Sequence, residues 1–201
     1  MITLSEVIQK SGLHTSRVQN VYIFGSQVYS TASETSDYDI LIIAKTPYEE
    51  KELVVDNCNI HILTLDRFLE GLKQHHIGRL ECLMAPKKWI LKEEINIPIL
   101  IKEEGLRHSI SHTVSNSWVK SKKKLEQGDY YIGIKSLFHS LRIAMFGIQI
   151  IEQGHIVDFR SANFIWHELN NKQWTWEELN ETYRPLRNKL MTYFRSITSK
   201  L

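Results

Sequence analysis

Two apolar runs separated by a polar stretch dominate the start of the chain. Val21, Tyr22, Ile23 and Phe24 stop at Gly25-Ser26, polar residues follow, and Ile40 to Ala44 opens a second run directly after Asp37-Tyr38-Asp39. The pattern predicts a strand, a tight turn, a short helix starting at Ser26 and a second strand. Ahead of it, Thr3 and Glu6 have capping-box spacing, Leu4, Val7 and Ile8 fall on one helical face, and Gly12 ends the helix. Behind it, Thr46-Pro47 closes the second strand and a charged stretch follows. Residues 53–55 and 60–65 read as two further short strands around an Asp56-Asn57 turn, and Thr64 with Asp66 caps a helix from Arg67 to about His75. Leu80, Leu83, Met84, Ile90 and Leu91 supply core to residues 77–101, where Pro86 interrupts any long helix.

From about Lys102 the period becomes helical over long stretches, which places a boundary between residues 1–101 and 102–201. Leu106, Ile110, Val114 and Trp118 recur every four residues, and Ile134, Leu137, Phe138, Leu141, Met145 and Ile148 form a second apolar stripe. Phe164, Trp166, Trp174 and Trp176 are most simply core, with a base-stacking platform as the sharper alternative. A last helix, capped by Thr175 and Glu178, starts near Trp176 and is broken or kinked at Pro185. Strands first and helices afterwards make an α+β chain.

Composition adds boundaries. With 201 residues, 42% hydrophobic and 24% charged, the chain has the makings of a buried core in one domain or two small ones. A net charge of +2 leaves any nucleic-acid surface to a local patch. Cys58 and Cys82 have no paired ligand spacing, which argues against a disulfide framework and a structural zinc site. The N-terminus lacks a signal-peptide layout and no uninterrupted apolar run approaches about 18 residues, so the expected location is cytoplasmic, with no membrane partner.

The chemistry gathers at the first turn. A side chain at Gly25 would hold a phosphate away from the backbone, and a helix starting at Ser26 aims its N–H groups at an anion. Asp37 and Asp39, two apart on a strand, project from one face and repel unless a cation sits between them; Mg²⁺ carrying substrate phosphates is the usual solution. Gly-Ser, ten intervening residues, then Asp-aromatic-Asp and four aliphatics resembles the signature of the DNA polymerase β superfamily of nucleotidyltransferases, most of all the small members from bacteria and their phages. The opening FGSQVYSTASETSDYD carries the likeness, and the LEC of residues 80–82 before Pro86 and the run KSLFHSLRIAMFGIQIIEQG of residues 135–154 also resemble that group. The resemblance implies a mixed sheet with flanking helices followed by a C-terminal helical bundle. It implies that Gly25 and Ser26 touch a nucleoside triphosphate, ATP included, and that Asp37 and Asp39 hold two Mg²⁺ ions.

Superfamily members commonly carry a third carboxylate on the strand that holds Asn59, Ile60, His61 and Ile62 here, and this sequence departs from that pattern. Asn59 offers a neutral oxygen to a metal, and His61 accepts a proton near neutral pH. The competing reading makes His61 a half-buried polar residue on an edge strand, and Asp56 supplies the acid if the register differs. Glu81 is the acid of its segment, facing either the site or, as the more ordinary reading, solvent.

Lys135, His139 and Arg142 form a polar stripe on an otherwise apolar helix. The resemblance gives it the grip on the triphosphate; the alternative is the exposed face of a bundle helix. Lys120 and Lys122 to Lys124 read as a solvated helix end, with a phosphate or RNA contact as the sharper version. Arg107 and His112 have the spacing of the RNase motif of certain helical toxins but lack its polar companion and helix-pair context. His108 and His112 have zinc-helix spacing without the accompanying Glu. The expected activity is transfer of a nucleoside monophosphate from an NTP to a hydroxyl of RNA, protein or a small molecule, with no DNA duplex as partner. The alternative is a nucleotide- or RNA-binding regulator on the same fold, or an RNA-binding helical domain with the N-terminal half as scaffold.

Overall fold

The computed structural model describes residues 1–46 and 49–198; the closing turn read at Thr46-Pro47 runs outside them at Pro47. The chain divides into two compact units, Met1–Leu100 and Ile101–Leu201.

The first unit opens with helix α1, Leu4–Ser11, whose capping box forms as the sequence predicts: Glu6 N–H donates to Thr3 Oγ1 at 3.3 Å and Thr3 N–H to Glu6 Oε2 at 2.7 Å. Those bonds to the charged form hold the Glu6 carboxyl below its usual range. Strand β1, Val18–Phe24, and β2, Tyr38–Ala44, pair antiparallel, and between them lies α2, Ser26–Tyr29, a single turn. Strands β3, Lys51–Val55, and β4, Cys58–Thr64, form a hairpin in which Asp56 takes φ 50, a conformation that Asp tolerates. β4 runs parallel to β2, so the five-stranded sheet is mixed, in the order β3-β4-β2-β1-β5.

β2 lies at the centre of that order, and Ile40 to Ala44 are all buried. A continuous apolar run is what a strand covered on both faces requires. Helix α3, Leu65–Lys73, is capped by Thr64, and its Phe68 stacks on Tyr22 at 6.2 Å. Helix α4, Ile77–Met84, sends Arg79 over the same Phe68 ring at 5.6 Å. Strand β5, Ile90–Glu93, pairs with β1; the sequence marks Ile90 and Leu91 only as core, and here both are half-buried, as are Leu83 and Met84. Buried Asn20 fixes the chain as it leaves β5, donating to Ile95 O at 2.7 Å and accepting from the N–H groups of Glu94 and Ile95, each at 3.0 Å.

The second unit is helical: α5, Glu103–Glu126; α6, Tyr130–Gln153; α7, Asn163–Leu169; and α8, Trp176–Ile197. Leu106, Ile110, Val114 and Trp118 are buried on α5, and Ile134, Leu137, Phe138 and Leu141 on α6. A Cβ on Gly133 would stand 2.6 Å from Leu125 Cγ, so glycine sets how closely α5 and α6 approach. By length and composition α6 matches a membrane-crossing helix, but 67% of its most apolar window is buried in the protein, as in the core helix of a bundle.

Two expectations change here, and one element is new. α8 runs unbroken through Pro185, which is exposed, so water can reach the carbonyl that loses its intrahelical partner. Phe164 is 57% exposed and does not belong to the core, whereas Trp166, Trp174 and Trp176 pack against it. The short helix α7 had no signal in the sequence pattern.

Candidate functional site

Gly25 occupies the corner between β1 and α2 with φ 77 and ψ −152, a backbone region essentially reserved for glycine. Space imposes the same choice, since a Cβ there would overlap Asp39 Oδ2 and lie 3.1 Å from Asp39 Cγ. The ladder explains the approach: Asp39 pairs with Phe24, the residue before Gly25, on one side and with Asn59 of β4 on the other. Asn59 Nδ2 donates to Asp39 Oδ1 at 3.2 Å. One carboxylate oxygen is thus bonded to β4 and the other faces the glycine corner.

Asp37 is exposed and sits one residue ahead of β2, where Tyr38 N–H donates to Asn57 O at 2.8 Å. The loop that delivers it is locally ordered: Ser33 N–H donates to Ser36 Oγ at 2.8 Å and Ser36 N–H to Ser33 O at 3.1 Å. Ser30, with φ 61, ends α2, and Thr31 N–H closes the turn on Ser26 O at 3.0 Å. At the far end of that turn Tyr29 OH donates to Glu81 Oε2. Glu81 is 3% exposed, so the ordinary expectation of a surface glutamate is overturned. Its partner lies 52 residues away in sequence, and no local pattern announces it.

His61 faces Glu52 across the β3–β4 ladder, and its Nδ1 stands 3.1 Å from Glu52 Oε1. Its ring lies 6.0 Å from that of Phe24. β1 and β4 flank β2 and are therefore about 9.6 Å apart, so the two rings lean toward each other across β2. Asp56 lies in the β3–β4 turn, ion-paired with Lys10.

Magnesium seeks hard oxygen donors and is usually held by one or two carboxylates, with substrate phosphates and water completing its shell. Asp39, with one oxygen turned into the cradle that a Cβ would fill, fits that need, and the carboxylate of Asp37 is of the same kind. Among the described residues no cluster of three or more His, Cys, Asp or Glu is placed to hold a metal. Asn59 turns its amide N–H toward Asp39, so what it presents to that carboxylate is a donor and not a metal-binding oxygen.

In the helical unit, Arg142 is 1% exposed, donates through Nη2 to His139 Nδ1 at 2.7 Å and lies 4.9 Å from the centre of the Phe146 ring. A guanidinium only donates, so His139 accepts at Nδ1 and carries its proton on Nε2. Burial, then Arg142, Lys120 and Lys135, push the His139 pKa well below the ordinary value. Lys135 is exposed above Tyr131. The stripe therefore does not read as a bundle's outer face, because its arginine is inside. The lysine run fits a helix end, with Lys122 paired to Glu126 at 3.7 Å and Lys124 to Asp129 at 3.0 Å. His108 and His112 stack at 6.3 Å on α5, and Asn116 Nδ2 lies 2.8 Å from His112 Nε2.

The first unit is thus a mixed sheet that brings a carboxylate against a glycine-serine corner. The chain belongs to the nucleotidyltransferase domain family, whose model matches residues 2–125, the whole sheet and α5 nearly to its end. Among solved structures it is similar to the spectinomycin adenyltransferase AAD(9) from Enterococcus faecialis, solved with ATP and spectinomycin. Identity is 13%, coverage 99% of this chain and 100% of that one, and the TM-score 0.48. It is also similar to a nucleotidyltransferase-like protein from Exiguobacterium sibiricum 255-15, at 14% identity over 96% of this chain and 73% of that one, with a TM-score of 0.33. No curated protein matches the chain.

Proposed function

We propose that this protein moves a nucleoside monophosphate from an NTP to a hydroxyl acceptor. The observation that carries the reading is the Asp39 carboxylate held between Asn59 and the Gly25 corner. Gly25 lets phosphate oxygens approach the backbone, and Ser26 offers its N–H and hydroxyl to them. Asp37 and Asp39 are the ligands for magnesium, two ions in this reading, which when bound neutralises the triphosphate and polarises the reacting phosphate. The acceptor oxygen forms a bond to the α-phosphorus, the bond from that phosphorus to the bridging oxygen breaks, and pyrophosphate leaves. The hydroxyl proton goes to His61 Nε2, whose Nδ1 is engaged by Glu52. Alignment of donor and acceptor supplies much of the rate. RNA, a protein side chain and a small alcohol are all acceptors this donor chemistry serves.

The test is incubation with α-labelled NTPs, Mg²⁺ and mixed RNA, protein and small-alcohol acceptors. Transfer that both Asp37→Asn and Asp39→Asn abolish supports the reading, and transfer that survives both changes overturns it. Asn59 at the place of a third acid favours a second reading, a nucleotide- or RNA-binding regulator on the same fold. NTP binding by calorimetry with no pyrophosphate release under any acceptor is its mark, and catalytic pyrophosphate release excludes it.

A further inference from the structure

On α8 a second cationic group stands apart from the residues assigned to the nucleotide. Arg187 packs 5.1 Å above the Trp118 ring of α5 and donates through Nη2 to Ser115 Oγ at 3.3 Å. Its Nε is buried with no hydrogen-bond partner. Trp118, itself 8% exposed and edge-on to Trp176 at 5.7 Å, forms the wall against which the guanidinium lies. Burial first, and then the cations Arg195 and Arg184, lower its pKa. Among the described residues no carboxylate forms an ion pair with it. A half-buried cation crowded by cations is an unfavourable arrangement for an empty protein. It becomes favourable when an anion arrives to accept the guanidinium's donors, and phosphate matches that planar fork.

The layout of α8 says which phosphate. Arg184 and Arg195 are exposed, and the helical period puts them on one stripe with Asn188, flanked by Arg187. Eleven residues of helix separate the outer arginines by about 16 Å. A lone phosphate cannot bridge that distance, whereas a strand with repeated phosphates can. We propose that Arg187 and Ser115, flanked by Arg184 and Arg195, form a phosphate-binding site for the backbone of a single-stranded nucleic acid. The proposal is independent of nucleotidyl transfer, because none of these residues belongs to the glycine corner or the Lys135 stripe.

Fluorescence anisotropy with a labelled oligouridylate on the full chain, at several salt concentrations, tests it, with inorganic phosphate titrated in parallel. Wild type binds the oligonucleotide, and Arg187→Met weakens binding by about tenfold, the scale of a lost charge-assisted hydrogen bond. Arg184→Gln with Arg195→Gln, at exposed positions, weakens binding and lowers the salt slope by about 0.7 per charge removed. Thermal melting separates this from a packing role: Arg187→Met, which keeps an apolar stem on Trp118, should melt no earlier than wild type when ligand-free. Binding that is unchanged in Arg187→Met, or no oligonucleotide binding at low salt, overturns the proposal. Phosphate binding without oligonucleotide binding overturns the strand as ligand. Loss of binding together with a large drop in melting temperature shows that Arg187 is structural and also overturns it.

Discussion

At the scale of single residues, Gly25 is doubly determined. Its φ of 77 lies where a side chain is strained, and Asp39 occupies the space that a Cβ would need. Gly25→Ala should cost about 2–6 kcal/mol, the sum of backbone strain and overpacking, measured by urea denaturation. His139 makes a separate prediction about pH. Its folded pKa lies below the unfolded value near 6.5, so the unfolded chain binds the proton first as pH falls. Its neutral form is fully compatible with the fold above about pH 6.5, and acidification from there erodes stability by at most about 1.4 kcal/mol per pH unit. In His139→Asn that part of the decline should flatten, as read from chemical denaturation midpoints across the acid range.

At the scale of elements, the one-turn helix α2 is too short to hold itself in place, and its anchor is the bond from Tyr29 to buried Glu81. Tyr29→Phe removes a donor from a buried carboxylate and should cost about 1–3 kcal/mol, whereas Glu81→Gln keeps an acceptor for Tyr29 and should cost less. Because Ser26 rides on the same turn, Tyr29→Phe should also raise KM for NTP more than it lowers kcat, and steady-state kinetics reads the split. The elements also mark what a sequence carries openly. The capping boxes at Thr3 and Thr175, the Gly25-Ser26 break and the apolar run of β2 are local signals, and each became the element it predicts. β5 is four residues long, follows Pro86 closely and has no alternation to betray it. Glu81 reads as a surface residue because a carboxylate ordinarily stays in water, and the hydroxyl it meets inside comes from 52 residues away. Arg142 was legible as a charge on an apolar helix, but its depth depends on packing that no linear pattern reports.

At the scale of the whole molecule, the helical unit has a core of its own, in which Leu137, Leu141, Ala162, Ile165, Leu169 and Leu179 are fully buried. We propose residues 102–201 as a domain that folds alone, and a fragment spanning Ile101–Leu201 should give a helical circular dichroism spectrum with a cooperative thermal transition. A spectrum without cooperative melting would show that these residues do not fold alone.

The meeting of Gly25 with Asp39 is set by rungs of the β1–β2 ladder, with Phe24 opposite Asp39, and not by the length of the segment that joins the two strands. The stretch from Thr31 to Ser36 within that segment can therefore lengthen, shorten or change its composition while the approach of Gly25 to Asp39 stays constant.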